Sequence, residues 1–115
     1  MKRGDIFWAD LAPHSGSEQT GRRPVIVVSH NAFNQTPRWR SVIVVPVSAS
    51  KSQARRSPTT VPLPGGTGAL LKASVAVCHQ VTTLDRGKLS QQIGTLPSEL
   101  LVAVEEGLKA ALDLE

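Results

Sequence analysis

Two short β-branched runs constrain this chain most. Pro24 opens the first, Val25-Ile26-Val27-Val28-Ser29, and Ser41 to Val47 forms the second. Branching at Cβ stiffens the side chain and favours a pleated strand over a helix. An apolar run of this length without alternation reads as a strand covered on both faces. Such strands need neighbours, and the sequence supplies them. Residues 5–11 (Asp-Ile-Phe-Trp-Ala-Asp-Leu), 59–63 and 74–81 each have strand composition. Pro46 interrupts the second run, so an edge strand or a bulge is expected there. Residues 12–22 have the glycines, proline and hydroxyls of a loop. Asn31 to Gln35 has room for one helical turn, and Pro64-Gly65-Gly66-Thr67-Gly68 reads as a hairpin turn.

After Pro97 the apolar period changes. Leu100, Leu101, Val104, Leu108, Ala111 and Leu112 fall on one face of a helix, with Ser98 as the expected N-cap. Gly107 inside that helix costs about 1 kcal/mol relative to alanine. The expected architecture is mainly β, with five to seven short strands closed by one C-terminal helix. In a chain of 115 residues that favours a small barrel over an open sheet, and one domain over residues 1–115. No apolar run is long enough to span a membrane. The start, Met1-Lys2-Arg3-Gly4-Asp5, lacks the apolar core of a signal peptide. Cys78 is the only cysteine, so no disulfide can form within the chain and a cytoplasmic location is expected.

The charge is divided unevenly. Between Gln19 and Leu84 stand Arg22, Arg23, Arg38, Arg40, Lys51, Arg55, Arg56 and Lys72, with no Asp or Glu. From Pro97 onward, Lys109 faces Glu99, Glu105, Glu106, Asp113 and Glu115. The net +4 is therefore +8 on residues 1–96 and −4 on the tail. A basic body with an acid-free middle concentrates polyanions around itself, although it also serves solubility.

Chemistry-bearing motifs are few. There is no CxxC, HExxH, GxxxxGK[ST] or GxGxxG, so neither a metal nor a nucleotide cofactor is expected. Cys78, within an apolar stretch, reads as a core residue. Aromatic residues are scarce, but Trp39 stands between Arg38 and Arg40 in an expected loop. That arrangement either stacks a base and holds its phosphates, or folds the indole back onto the core. The densest constellation is Gly16-Ser17-Glu18-Gln19-Thr20-Gly21-Arg22-Arg23-Pro24. Pro24 restricts the backbone beside Arg23, whose guanidinium can grip a phosphate with two hydrogen bonds. Glu18 either pairs with an arginine or takes part in proton transfer. A purely structural alternative has the arginine bracing the loop.

Taken in order, Arg3-Gly4-Asp5-Ile6, Gly16-Ser17-Glu18-Gln19, Arg23-Pro24-Val25, Val45-Pro46-Val47-Ser48, Ser74 to Val81 and Thr83-Leu84-Asp85 resemble the MazF/PemK-type toxins of bacterial toxin–antitoxin pairs. The resemblance runs from about residue 2 to 112. It implies an SH3-like β-barrel of the CcdB/MazF/Kid type, working as a homodimer. It also implies a metal-independent endoribonuclease that cuts single-stranded RNA, with the 2′-hydroxyl as nucleophile. The products are then a 2′,3′-cyclic phosphate and a 5′-hydroxyl. An antitoxin partner, MazE-like with an acidic C-terminal segment, is implied as well.

Carried over by position, Arg23 matches the family's catalytic arginine, and Ser48 stands where MazF members usually have threonine. Glu18 matches the loop glutamate and Ser17 its neighbour. PemK/Kid-type members use an Arg and an Asp on the strand that here reads Val77-Cys78-His79, and a loop His where this chain has Ser17. Val77 cannot replace that arginine, so the resemblance is to the MazF subtype. His79 has the chemistry for acid–base work or for a structural strand end. The implied RNA-binding groove takes in Ser17, Gln19, Arg22, Arg38, Trp39, Arg40, Lys51, Arg55, Arg56, His79 and Gln80, with base choice set by loops 12–22 and 49–58. Two other readings stay open at this level. One is a non-catalytic SH3-like module binding nucleic acid or peptide. The other is a gyrase-directed toxin of related fold.

Overall fold

The structure is a computed structural model that describes residues 1–11, 21–50 and 58–115. Its seven strands are β1 (Asp5–Leu11), β2 (Gly21–Val27), β3 (Ser41–Ser48), β4 (Thr60–Leu63), β5 (Ser74–Val77), β6 (Thr82–Asp85) and β7 (Leu89–Thr95). Helix α1 is the single turn Asn31–Asn34, and α2 is Ser98–Leu112. Short 3-10 turns occupy Thr67–Ala69, Cys78–Gln80 and Arg86–Lys88. Every strand pair is antiparallel, in the order β4-β5-β3-β2-β1-β7, with β6 also on β3.

The expected first strand, the single helical turn and the C-terminal helix are all present. The reading of Val25–Val28 as a strand covered on both faces holds for its centre. Val25 and Val27 enter one apolar cluster with Val42 and Val44, while Ile26 enters another with Ile6, Val45 and Val104. All three β2 residues are fully buried.

Pro46 is not at an edge. β3 is the hub of the sheet, paired with β2 along one side and with β6 and β5 in succession along the other. The expected strand 74–81 is β5 only as far as Val77; the Cys78–Gln80 turn follows, and a separate strand, β6, begins beyond it at Thr82. Val47 pairs with Ala76 and Val44 with Thr82, so three steps on β3 face six on its partner. The three extra residues are the turn, and Pro46 lies opposite it. Its missing N–H falls where the ladder has no acceptor to offer.

β2 starts earlier than expected, at Gly21, because Leu11, Asp10 and Ala9 of β1 pair with Gly21, Arg22 and Arg23. Pro64–Gly68 does lie in the β4–β5 connection, but this is a longer loop containing a 3-10 turn rather than a tight hairpin turn. Gly68 has φ +51°, and an added Cβ would meet Ile6 Cδ1 at 2.6 Å. This close approach packs the turn against Gly94 of β7 and closes the gap between the two ends of the ladder.

In α2, Pro97 rather than Ser98 is the N-cap, since its carbonyl accepts the N–H groups of Leu100 and Leu101. The helix packs on β4 and the Cys78–Gln80 turn. Its last turn runs past them, leaving Leu112 exposed. Gly107 is buried there, with an added Cβ only 2.7 Å from Cys78 Sγ. The glycine that weakens the isolated helix is what lets the helix seat. Among the described residues, no helix is long and apolar enough to cross a membrane.

Candidate nucleic-acid cleft

The two arginines before Pro24 are strand residues, and the sheet aims them. Arg23 pairs with Ala9, and Val25 with Pro46. The β2–β3 ladder ends at Val25–Pro46, two residues short of both Arg23 and Ser48, the last residue of β3. Residues 25 apart in sequence thus lie at neighbouring strand ends. Arg22 and Arg23 are exposed, whereas Ser48 is buried and its Oγ accepts the Ser50 backbone N–H at 3.1 Å. A hydroxyl held as an acceptor still has its own hydrogen to donate.

Beside this pair opens a cleft of about 320 Å³. Pro24, Val47, Leu70 and Ile93 give it apolar walls, and Arg22, Arg23 and Lys72 line it with cations. The guanidinium of Arg22 lies over the ring of Trp8, 4.5 Å from its centroid, an arrangement that holds the long side chain in place. Arg22 also borders a larger polar hollow of about 740 Å³ with Asp10, Asp85 and Lys88. Asp85 accepts from the Gly87 backbone N–H at 2.7 Å and from Arg40 Nη2 at 3.1 Å. The Gly87 hydrogen bond, then Arg40, keep the Asp85 carboxyl below the usual carboxylate range.

The Arg38-Trp39-Arg40 segment lies apart from the cleft, on the exposed connection between α1 and β3. Trp39 does not fold back onto the core. It is 46 % exposed and stacks on Phe33, with ring centroids 4.5 Å apart and planes 12° from parallel. His79 and Gln80 lie in the turn under α2, and neither lines the two cavities. His79 Nδ1 is 2.9 Å from Thr59 Oγ1. The fold therefore brings Arg22 and Arg23 into the cleft, puts buried Ser48 between its lining residues Val47 and Ala49, and leaves His79 and Gln80 elsewhere. Ser17, Glu18, Gln19, Lys51, Arg55 and Arg56 lie outside the described residues.

Two features were not foreseen. Lys72 and the Leu70–Leu71 pair form one wall of the cleft, and Arg86 clasps the α1–β3 connection. A lone arginine after Asp85 carries no local signal for that task. Cys78 is buried, and burial pushes its thiol up to about 11, which makes it a poor nucleophile.

The family model for PemK-like, MazF-like toxins of type II toxin–antitoxin systems matches residues 2–112. This chain belongs to that family. Among PemK/MazF relatives, it is 35 % identical to endoribonuclease MazF6 of Mycobacterium tuberculosis, over 99 % of this chain and 98 % of that protein. It is 33 % identical to endoribonuclease EndoA of Bacillus subtilis, over 99 % and 96 % of the two chains. The crystal structure of MazF from Deinococcus radiodurans superposes with a TM-score of 0.80 at 28 % identity, covering 99 % of this chain and 97 % of that one. A MazE–MazF complex from the same organism matches at 0.74 and 27 %, over 100 % and 97 %. The mainly β architecture with a C-terminal helix is thus the MazF fold.

Proposed function

We propose that this chain is the toxin of a toxin–antitoxin pair and an endoribonuclease that cuts single-stranded RNA in the Arg23–Ser48 cleft. The observation that carries this reading is a strand-held guanidinium, Arg23, lining a cationic cleft beside the end of β3, where Ser48 stands. The named activity of relatives at 33–35 % identity supports it. In the reaction the 2′-oxygen attacks the adjacent phosphorus and the P–O5′ bond breaks. The 2′ proton leaves to a base, and the 5′-oxygen takes a proton. The products are a 2′,3′-cyclic phosphate and a 5′-hydroxyl, and no metal is required.

Arg23 stabilises the charge that builds on the phosphoryl oxygens and assists proton transfer. Ser48 orients the scissile phosphate with its hydroxyl. Glu18, on the preceding loop, is assigned to proton transfer, with Ser17 and Gln19 beside it. Arg22, Lys51, Arg55 and Arg56 hold the flanking phosphates, and Arg38, Trp39 and Arg40 extend the RNA surface. The chain acts as one cytoplasmic domain and as a homodimer. A MazE-like antitoxin lays an acidic segment over the same cleft, so antitoxin and RNA compete, and both bind more weakly as salt rises.

The test is incubation of long single-stranded RNA with the protein and with Arg23→Ala in EDTA. The expected result is cutting by the first alone, with cyclic-phosphate ends. Equal cutting by both removes Arg23 from the mechanism. No cutting by either overturns the enzyme reading.

A further inference from the structure

We propose that the Phe33–Trp39 stack is a preformed seat for an unpaired nucleobase of the RNA strand running beyond the cleft, and that Arg86 is the residue that positions it. The proposal rests on the chain's reading as an RNA-cutting toxin.

The two rings are parallel and in contact before any ligand arrives. Both are exposed, Phe33 by 40 % and Trp39 by 46 %, and the His30 ring lies 5.9 Å from Phe33 at a tilt. Exposed aromatic surface on a short connection is costly to keep in water unless it has a use or a brace. The brace is explicit. Arg86 Nε donates to the Trp39 carbonyl at 3.0 Å and Nη1 to the Asn34 carbonyl at 3.0 Å. Its Nη2 donates to the Phe33 and Thr36 carbonyls at 2.9 and 3.1 Å. Its own backbone N–H donates to the Arg40 carbonyl at 2.6 Å. One guanidinium thus gathers the backbone on both sides of the stack. Below it, buried Asn34 is locked to Ser29 by hydrogen bonds of 2.5 and 2.8 Å. A rigid aromatic face loses little entropy when a base stacks on it.

Charge selects the occupant. Arg38 and Arg40 flank Trp39 in the chain, and Arg40 pairs with Asp85 at 3.1 Å. Asp85, which Arg40 pairs, and Lys88 border the polar hollow that Arg22 shares with the cleft, so charged side chains link the stack's edge to Arg23. Ser41 and Ser48 mark the two ends of β3, roughly 23 Å apart at strand spacing. A strand threaded through the cleft reaches the stack only several nucleotides away from the cut. Flat π-faces between guanidiniums suit an unstacked base with its phosphates better than an acidic peptide, which lacks the planar group.

The experiment uses Trp8→Phe, so that Trp39 is the single tryptophan, and a 2′-O-methyl RNA of about 12 nucleotides, which cannot be cut. Trp39 emission is expected to quench on binding, and an abasic oligomer of the same length to bind without quenching. Trp39→Ala should weaken binding about tenfold, with Trp39→Phe restoring most of it. Arg86→Gln should weaken binding comparably, but add nothing in a Trp39→Ala background. Should Trp8→Phe fail to fold, fluorine NMR of the wild-type chain with 5-fluorotryptophan gives the same Trp39 readout. Binding with Trp39 unmoved overturns the proposal, as does equal quenching by the abasic oligomer. A Trp39 response to protein self-association alone overturns it too, in favour of a protein interface. Cutting of long RNA by the wild type, measured alongside, separates failure of the seat from failure of the enzyme reading.

Discussion

The two halves of β2 could hardly differ more. Gly21, Arg22 and Arg23 are exposed, whereas Val25, Ile26 and Val27 are fully buried, and Pro24 divides them. Both halves pair with β1 along a single unbroken register. The buried half is held by two apolar clusters at once, one on each face. The exposed half inherits that rigidity, so its guanidiniums reach the cleft from a fixed backbone. Positioning of this kind is what a phosphoryl site needs, because catalysis depends on charge placed before the reaction starts. The lesson is a division of labour within seven residues, in which stability resides in the valines and the proposed chemistry in the arginines.

The largest expected effect breaks that division from the exposed side. Arg23→Ala should lower RNA cutting by about 10²- to 10³-fold. Its unfolding free energy should stay within about 0.5 kcal/mol of wild type, because the side chain is exposed. Cleavage rates and denaturant midpoints measured on one preparation check both halves of the statement.

The reverse experiment is Ile26→Ala. Removing a fully buried side chain should cost about 2–5 kcal/mol in urea unfolding, while the protein that remains folded still cuts. A large rate loss in fully folded Ile26→Ala would show that the halves are not separable.

A smaller effect is expected at the helix seat. Gly107→Ala raises helix propensity but drives a methyl onto Cys78, so a net loss of about 1–3 kcal/mol is expected. Adding Cys78→Ala should make the double variant less unstable than the sum of the singles, as a double-mutant cycle would show.

The smallest effect concerns pH. Cys78 stays protonated in the folded chain up to about 11, whereas a thiol in the unfolded chain ionises near 8.5. Its contribution to stability is therefore complete below about pH 8.5 and fades as pH rises toward 11. Thermal melts of wild type and Cys78→Ala across that window should converge if the thiol is responsible.

Much of the fold was legible in local patterns. β1 runs over Asp5–Leu11 as its composition predicts, and the helical period after Pro97 marks α2. β6 and β7 were hidden, because Thr82–Asp85 and Leu89–Thr95 are half-exposed and largely polar, with little apolar signal to read. The stretch 74–81 looked like one strand because β-propensity is blind to a turn imposed by the neighbour. Pro46 read as an edge or a bulge; the register jog matches the second, but its cause, the Cys78–Gln80 turn opposite, is 32 residues away at the nearest. For the site, Arg23 was legible from its setting before Pro24, while Ser48 came only through the family resemblance.

The sequence by itself determined what depends on near neighbours along the chain. That covers the β-branched runs, the closing helix and the separation of a basic body from an acidic tail. The tertiary structure alone decided which residues meet. Strand pairing set Arg23 against Ala9 at the cleft, a jog in the sheet made room for Pro46, and helix packing turned Gly107 from a weakness into a requirement. Arg86 reaches carbonyls 47 to 53 residues earlier in the chain. Such contacts form because strand pairing and burial act on distance in space, and no local preference along the chain encodes them.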